Sequence, residues 1–461
     1  MKFDLIIRGG NIIDPKSEVH GLRDLGIKGG KIVEVGTDLP GAHAREIWDL
    51  AGYSLMPGVI DTHTHVRGPA HRMMAKAGVC TCLDMGAGRS VFEEMPERGC
   101  GLNVAALQTI GPFADKTPSN GELDGLVEGA LQAGAIGIKL VGGHRPSTPE
   151  ATAAMIEAGN RAGAYVAFHV GSTETGSNLK GLLEAVQLAG KNHLHIAHVN
   201  SYLRGLIKDP VEEVVDGLLS LKGKKNLVSE SYLAIINGTG GKVVDGLPQS
   251  HVTRNCLRMR GYDPTEAGLE KAIADGYGLV QIEEGGETVM VTGARGVKEW
   301  KAKGSDVGMS FPVNVPESTF LCAVKRDESG KFIVDAISTD GGSIPRNVAV
   351  ENGLTLVRYK ALTLDEFVYK ASTRGAQMLG LHDKGHLGAG ADADITVLDM
   401  AHGRAAMTVV GGKVIMAFGI IYGKGGTIIT TRKGLPVAKA VGLPALEVNV
   451  QEMLLYTKTS E

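Results

Sequence analysis

The sequence predicts an α/β fold: a (β/α)8 TIM barrel joined to a small β-sandwich built from both chain ends. Three observations predict it. From residue 58 onward, short apolar runs alternate with helical segments, about eight times over roughly 300 residues. The polar residues His63, His65, Lys139, His169, His198 and Asp340 each sit late in such a run, where barrel strands converge on one mouth. Both chain ends carry short strands and glycine pairs, which form hairpins too small to stand alone.

The elements follow in order. Residues 1–57 form the first part of the sandwich, with strands at 3–8, 24–28 and 31–36 and a hairpin at Gly29-Gly30. Residues 58–382 form the barrel. Its strands are expected at 59–67, 79–85, 103–109, 135–140, 165–170, 193–199, 226–230 and 332–340. Helices lie between them. One spans 149–162, with Thr148 as N-cap and Glu150 in the first turn, where the helix dipole favours an acid. Another spans 178–189. A doubly wound open sheet is the competing architecture, but no Gly-x-Gly-x-x-Gly turn follows the first strand. Residues from about 231 to 331 break the alternation and contain a hairpin near 281–291. They read as an insertion above the barrel mouth, either a lid or an oligomer contact. After a helix at 364–379, residues 383–440 return to strand character, with a hairpin at 407–415, and supply the second sandwich part. The tail, 441–461, could be an arm packing on a neighbour, a role its composition does not decide.

Bulk composition excludes several function classes. The 461 residues carry 48 basic and 51 acidic side chains, a net charge of −3, with no basic block, so no nucleic-acid partner is expected. No apolar run reaches the ~18 residues of a membrane helix, so no membrane partner is expected. The start, Met1-Lys2-Phe3-Asp4, is unlike a signal peptide. Five scattered cysteines suit reduced thiols and a cytoplasmic location. Cys80 and Cys82 read as small core residues rather than ligands.

The strand-end residues point to metal chemistry. His63 and His65 alternate on one strand, so both imidazoles face one side, where they can grip one ion. His169 and His198 can serve a second. Two nearby ions can share a hydroxide, lower its pKa and polarise the carbonyl it attacks. Asp340 can ligate and also carry a proton to a leaving nitrogen. Lys139 has two readings. It is a buried lysine paired with Asp340 or Asp84, or a lysine carboxylated by carbon dioxide to an anionic bridge. His195 lies three positions before His198, so a twist or bulge is needed to bring both to the site. His198 is preferred as the residue nearer the mouth. His144, just past Lys139, could touch substrate or be solvated.

The stretch 55–65, Leu-Met-Pro-Gly-Val-Ile-Asp-Thr-His-Thr-His, resembles the first barrel strand of the amidohydrolase superfamily. The stretch 385–394, Gly-His-Leu-Gly-Ala-Gly-Ala-Asp-Ala-Asp, resembles its return to the sandwich. The resemblance covers nearly the whole chain. It implies a metal-dependent hydrolase of carbon–nitrogen amide bonds holding two divalent ions, zinc foremost. In that resemblance Lys139 is the carboxylated bridge, His63, His65, His169 and His198 are ligands, and Asp340 is both ligand and catalytic aspartate. The sixth-strand stretch His198-Val199-Asn200-Ser201 is similar to hydantoinases and dihydroorotases. Arg67 stands where dihydroorotases hold a substrate carboxylate, or else forms a structural ion pair. Arg67, Asn200 and His144 are the residues expected to bind substrate. The aspartate motif departs from the dihydroorotase pattern: Gly341-Gly342-Ser343 stands in place of Ala-Pro-His.

The leading expectation is hydrolysis of a cyclic amide of the hydantoin or dihydropyrimidine type. The alternative is N-acyl-D-amino-acid deacylation, which the short gap between His169 and His198 and the long segment before Asp340 resemble. The deaminase branch lacks its His-x-x-Glu here. A non-catalytic scaffold is disfavoured because all six ligand positions are filled. A homo-oligomer, dimer or tetramer, acting on a small molecule is the expected setting.

Overall fold

The computed structural model describes residues 2–458. The first barrel strand is Val59–His65. Seven more follow: Val79–Gly86, Cys100–Ile110, Gly137–Leu140, Tyr165–Phe168, Leu194–Ile196, Leu227–Tyr232 and Ala336–Ser338. Each pairs in parallel with the next. Gly341–Gly342 closes the ring by pairing with Thr64 and His65. The strands are almost wholly buried, as parallel strands covered by helices should be. That is why they read as continuous apolar runs. The helices fall where their caps place them. Thr148 Oγ1 accepts from the Ala151 N–H at 3.1 Å to start Pro149–Arg161. Asn178 caps Leu179–Ala189. The helix expected at 364–379 is two α segments, Leu364–Val368 and Arg374–Met378, joined by a π turn.

The two chain ends meet in one nine-stranded sheet. Ser54–Pro57 pairs with Phe3–Asp14 on one side and Ile395–Asp399 on the other. The sheet folds over on itself: the Ile32 N–H bonds Ala391 O and the Ala393 N–H bonds Gly30 O, each at 2.8 Å. Leu25, Ile27, Ile32, Leu55, Ile395 and Val397 fill the space enclosed. The Gly29-Gly30 hairpin joins Val19–Lys28 to Lys31–Gly36 as expected. Gly9-Gly10 is not a turn. The strand Phe3–Asp14 runs through it with a shift of register, which Gly9 absorbs at φ +68°.

The second sandwich part was expected to reach residue 440, but its last strand is Ile420–Ile421. The next strand, Gly425–Thr430, joins the barrel. It runs parallel to the early part of the third barrel strand, pairing Gly426 with Leu102 and Ile429 with Ala105, and carries Ala445–Glu447 on its other edge. The third strand meets the fourth only through residues 107–110, which leaves its earlier edge open to this addition. The tail packs on the chain's own barrel. Val448, Met453, Leu454 and Leu455 are buried with Ile60, Leu83, Ile136 and Val228 at the N-terminal end of the barrel. Those barrel side chains would otherwise face water, and covering them is worth about 25 cal/mol per Å2. Residues 459–461 of the tail, and Met1, lie outside the described residues. Leu455→Ala is expected to cost about 2–5 kcal/mol, read as a lower denaturant midpoint; an unchanged midpoint would show that the plug adds nothing to stability.

Most of the segment 231–331 forms a unit with its own core, including Val252, Leu257, Ile273, Trp300 and Phe311. The hairpin Leu279–Glu284 and Glu287–Val291 joins Thr239–Gly240 and Gly308–Ser310 in a four-stranded sheet. Helix Pro316–Val324, expected inside the insertion, packs beside Pro210–Leu221 in the outer barrel layer. The hairpin also reaches the helix Ala70–Lys76, where Lys76 pairs with Glu287. All five cysteines are free and buried, Cys80 and Cys82 in the core. No helix among the described residues is long and apolar enough to cross a membrane.

Candidate metal centre

The strand ends deliver the expected polar residues to one place. His63 and His65 share a side of the first strand, their ring centroids 5.6 Å apart. The sixth strand ends at Ile196, and His198 adopts a left-handed φ of +31°. Asp340, just past the eighth strand, sits at φ +49°. Such backbone is sparsely populated for non-glycine residues, and it turns both side chains into the mouth. Next to Asp340, Gly342 has φ +73°, and a Cβ there would lie 2.4 Å from His65 O. The glycines that replace Ala-Pro therefore let the closing segment lie against the first strand.

The centre is tightest around His63, His198 and Asp340, whose ligand atoms all lie within 4.8 Å of one another. Glu230, within the seventh strand, sets the His63 tautomer. Its Oε1 accepts from His63 Nδ1 at 2.6 Å, which leaves the Nε2 lone pair 3.3 Å from Asp340 Oδ1. Burial lowers the His63 pKa to about 4 and holds His198 well below the usual range, so both present neutral donors. Burial would raise Asp340, but the Arg346 guanidinium paired with it outweighs burial, and the carboxyl is held well below its usual range. A lone pair facing a carboxylate oxygen across such a gap is repulsive unless a cation lies between them. The donor set therefore fits a divalent ion.

Around this core, His65 Nε2 lies 2.9 Å from Asp340 Oδ1. His169 and His198 have ring centroids 4.6 Å apart. Lys139 is buried, with Met85 Sδ at 3.7 Å as a weak hydrogen-bond acceptor. Burial lowers its pKa to about 8 against the opposing pull of Glu230, Asp340 and Asp84. All six expected ligands line one cavity of about 60 Å3. In the tightest set His63 lies with His198 and Asp340.

Of the residues expected to bind substrate, only His144 lines this cavity. Its Nδ1 meets Ser250 Oγ at 3.1 Å, and burial lowers its pKa to about 3. Asn200 is packed beneath the site, where Oδ1 accepts the Tyr232 N–H at 3.1 Å. Arg67 is exposed and outside the cavity, because the chain leaves the strand after His65 and carries it away. His195 points into the barrel below the site, bonding the Tyr165 hydroxyl at 3.1 Å.

Three residues at the site escape the sequence reading. Glu230 also accepts the His198 N–H at 2.7 Å and the Ser338 hydroxyl, so one carboxylate ties the first, sixth, seventh and eighth strand ends. Burial would raise it, but His63 and His195 hold it well below the usual range. An acid closing an apolar run was its visible signal. Arg346, six residues after Asp340, pairs with Asp340 Oδ2 and donates to Asp340 O at 2.6 Å. Arg204, six residues after His198, lines the cavity wall with Tyr232. Both lie in loops at the C-terminal face of the barrel, where functional residues of this fold collect.

A family model described as Amidohydrolase family matches residues 54–424. Among curated relatives, the N-acyl-D-glutamate deacylase of Alcaligenes xylosoxydans xylosoxydans is 25% identical over 445 residues, covering 86% of this chain and 88% of that protein. Among solved structures, the N-acyl-D-glutamate deacylase from Bordetella bronchiseptica, complexed with zinc and a phosphonate inhibitor, superposes with a TM-score of 0.66 at 16% identity, over 92% of this chain and 99% of that one. A D-hydantoinase superposes with a TM-score of 0.58 at 16% identity, over 92% and 98%. At these identities the two superpositions show a shared fold.

Proposed function

The chain belongs to the amidohydrolase family, and on that premise we propose that it hydrolyses the linear amide of an N-acyl-D-amino acid at a metal centre. The observation that carries the metal-dependent reading is the buried set His63, His198 and Asp340, with neutral imidazoles facing a carboxylate. The linear reading is preferred to the cyclic one because the similarity to the N-acyl-D-glutamate deacylase runs along most of both chains.

His63, His198 and Asp340 hold one ion in this reading. His65, His169 and Lys139 are the groups available to a second. Zinc suits the imidazole-rich set. A divalent ion there supplies Lewis acidity, activating water and polarising the scissile carbonyl. The chain's own residues do the rest. Arg346 anchors Oδ2 of Asp340 and keeps the carboxylate in place. Oδ1 then takes the proton released by the attacking water and passes it to the leaving nitrogen. Glu230 fixes the His63 ring through Nδ1. Lys139, lowered by burial, has an accessible neutral amine. That amine adds to carbon dioxide, forming a carbamate and releasing a proton, which would convert a poorly partnered cation into an anionic ligand.

The test is metal analysis of the purified protein together with a substrate panel. Divalent metal should co-purify, and activity should vanish on chelation and return with zinc. N-acyl-D-amino acids should be cleaved faster than their L-enantiomers, hydantoins and dihydropyrimidines. Turnover of the cyclic amides alone would restore the cyclic reading, and full activity without metal would end both.

A further inference from the structure

We infer that Arg204 is the group that binds the carboxylate of the acylated amino acid, an inference that rests on the linear-amide reading. Arg204 follows the short turn Val199–Tyr202 after the sixth strand and is only 8% exposed. It lines the same cavity as His63, His198 and Asp340. Its Nε donates to Asn314 Oδ1 at 2.8 Å and its Nη2 to the Tyr232 hydroxyl at 3.2 Å. Both partners are neutral. Asn314 is itself fixed by donating to the carbonyls of Ala234 at 2.9 Å and Ile236 at 3.0 Å. The guanidinium is therefore held in place by residues of the seventh strand and the insertion.

What it lacks is an anion. Among the described residues Arg204 forms no ion pair, and its Nη1 donates to no protein acceptor. The other buried arginines contrast with it: Arg346 pairs with Asp340, and Arg374 pairs with Asp335 at 2.9 Å. A buried cation left without a counter-charge is costly, and a protein keeps one where a ligand supplies that charge. A guanidinium held through Nε and one Nη2 hydrogen still has Nη1 to offer, which matches a carboxylate oxygen. An N-acyl amino acid carries its carboxylate one carbon from the amide nitrogen. A group on the cavity wall beside the ligand cluster therefore suits it, whereas a neutral hydantoin offers this cation carbonyl acceptors but no counter-charge. This assigns to Arg204 the task that the sequence alone gave to Arg67.

The test compares matched substrate pairs in the metal-loaded enzyme: N-acyl-D-amino acids against their primary amides, and hydantoins with a carboxylate arm against neutral ones. Wild type should favour the carboxylated member of whichever pair it cleaves, by about tenfold or more in kcat/KM. In Arg204→Met the loss for the carboxylated member should exceed the loss for the neutral one by about 30-fold or more, chiefly through KM, and Arg204→Lys should recover part of it. Equal losses for both members would reduce Arg204 to a structural role and overturn the inference. If the Met variant does not fold, the wild-type ratio decides, and a ratio near one overturns it. Wild-type cleavage of the cyclic pair alone would overturn the linear reading. The carboxylate preference within that pair would then still decide the role of Arg204.

Discussion

Asp340→Asn is expected to abolish turnover while the protein still folds. The substitution keeps the shape of the side chain and an acceptor oxygen for Arg346, which also retains its bonds to Asp340 O at 2.6 Å and Ile236 O at 3.1 Å. It removes the negative charge that pairs with Arg346 and that His63 and His65 face. An amide cannot take up the proton of an attacking water, so the lost proton transfer alone costs about 10²–10⁴-fold in kcat. Weaker metal retention adds to that. Breaking a buried ion pair also destabilises, so a lower melting temperature is expected beside an unchanged circular dichroism spectrum. Turnover, metal content and melting should be measured on one preparation. Near-normal turnover with metal present would remove Asp340 as the proton carrier.

The second large effect is expected at Glu230, a residue that touches no substrate. In Glu230→Ala the Nδ1–H of His63, the N–H of His198 and the hydroxyl of Ser338 all lose their acceptor inside the barrel. Each buried donor left unsatisfied costs about 1–3 kcal/mol, so the loss is large against the net stability of a domain. The milder Glu230→Gln keeps one oxygen but can turn an amide N–H toward His63, which favours the other tautomer. Outer partners of metal-binding histidines typically contribute about 10–100-fold in metal affinity. Dialysis of Glu230→Gln against graded chelator should strip metal at a correspondingly lower chelator level than wild type. Metal retention equal to wild type would mean that the His63 ring is oriented without Glu230.

Much of this protein is legible in one dimension because its signals are local. Strands buried on both faces must be apolar throughout, so each barrel strand announces itself as a short run. Alternation along a strand puts His63 and His65 on one side without knowledge of any partner. Caps such as Thr148 and Asn178 act within three residues, and the Gly29-Gly30 hairpin needs only its own turn. That the six polar residues line one cavity follows from the rule that strand ends of a barrel share a mouth.

The tertiary structure alone decided what depends on contacts between distant parts of the chain. Whether Gly9-Gly10 is a turn or a bulge depends on the partner strand, which the glycine pair does not encode. The tail's apolar residues are compatible with any apolar surface, and only the folded barrel shows that its own N-terminal end is the one they cover. His198 and Asp340 reach the centre through left-handed backbone imposed by their surroundings. Glu230 looked like an ordinary strand residue until four strand ends met around it. That Arg204 is buried and Arg67 exposed, the ground on which Arg204 is proposed, shows only in the folded chain. Residue identity and alternation therefore determined the barrel and the residues gathered at its mouth, whereas desolvation and charge balance, which exist only once the chain is folded, show how those residues are held and which cation among them lacks a counter-charge.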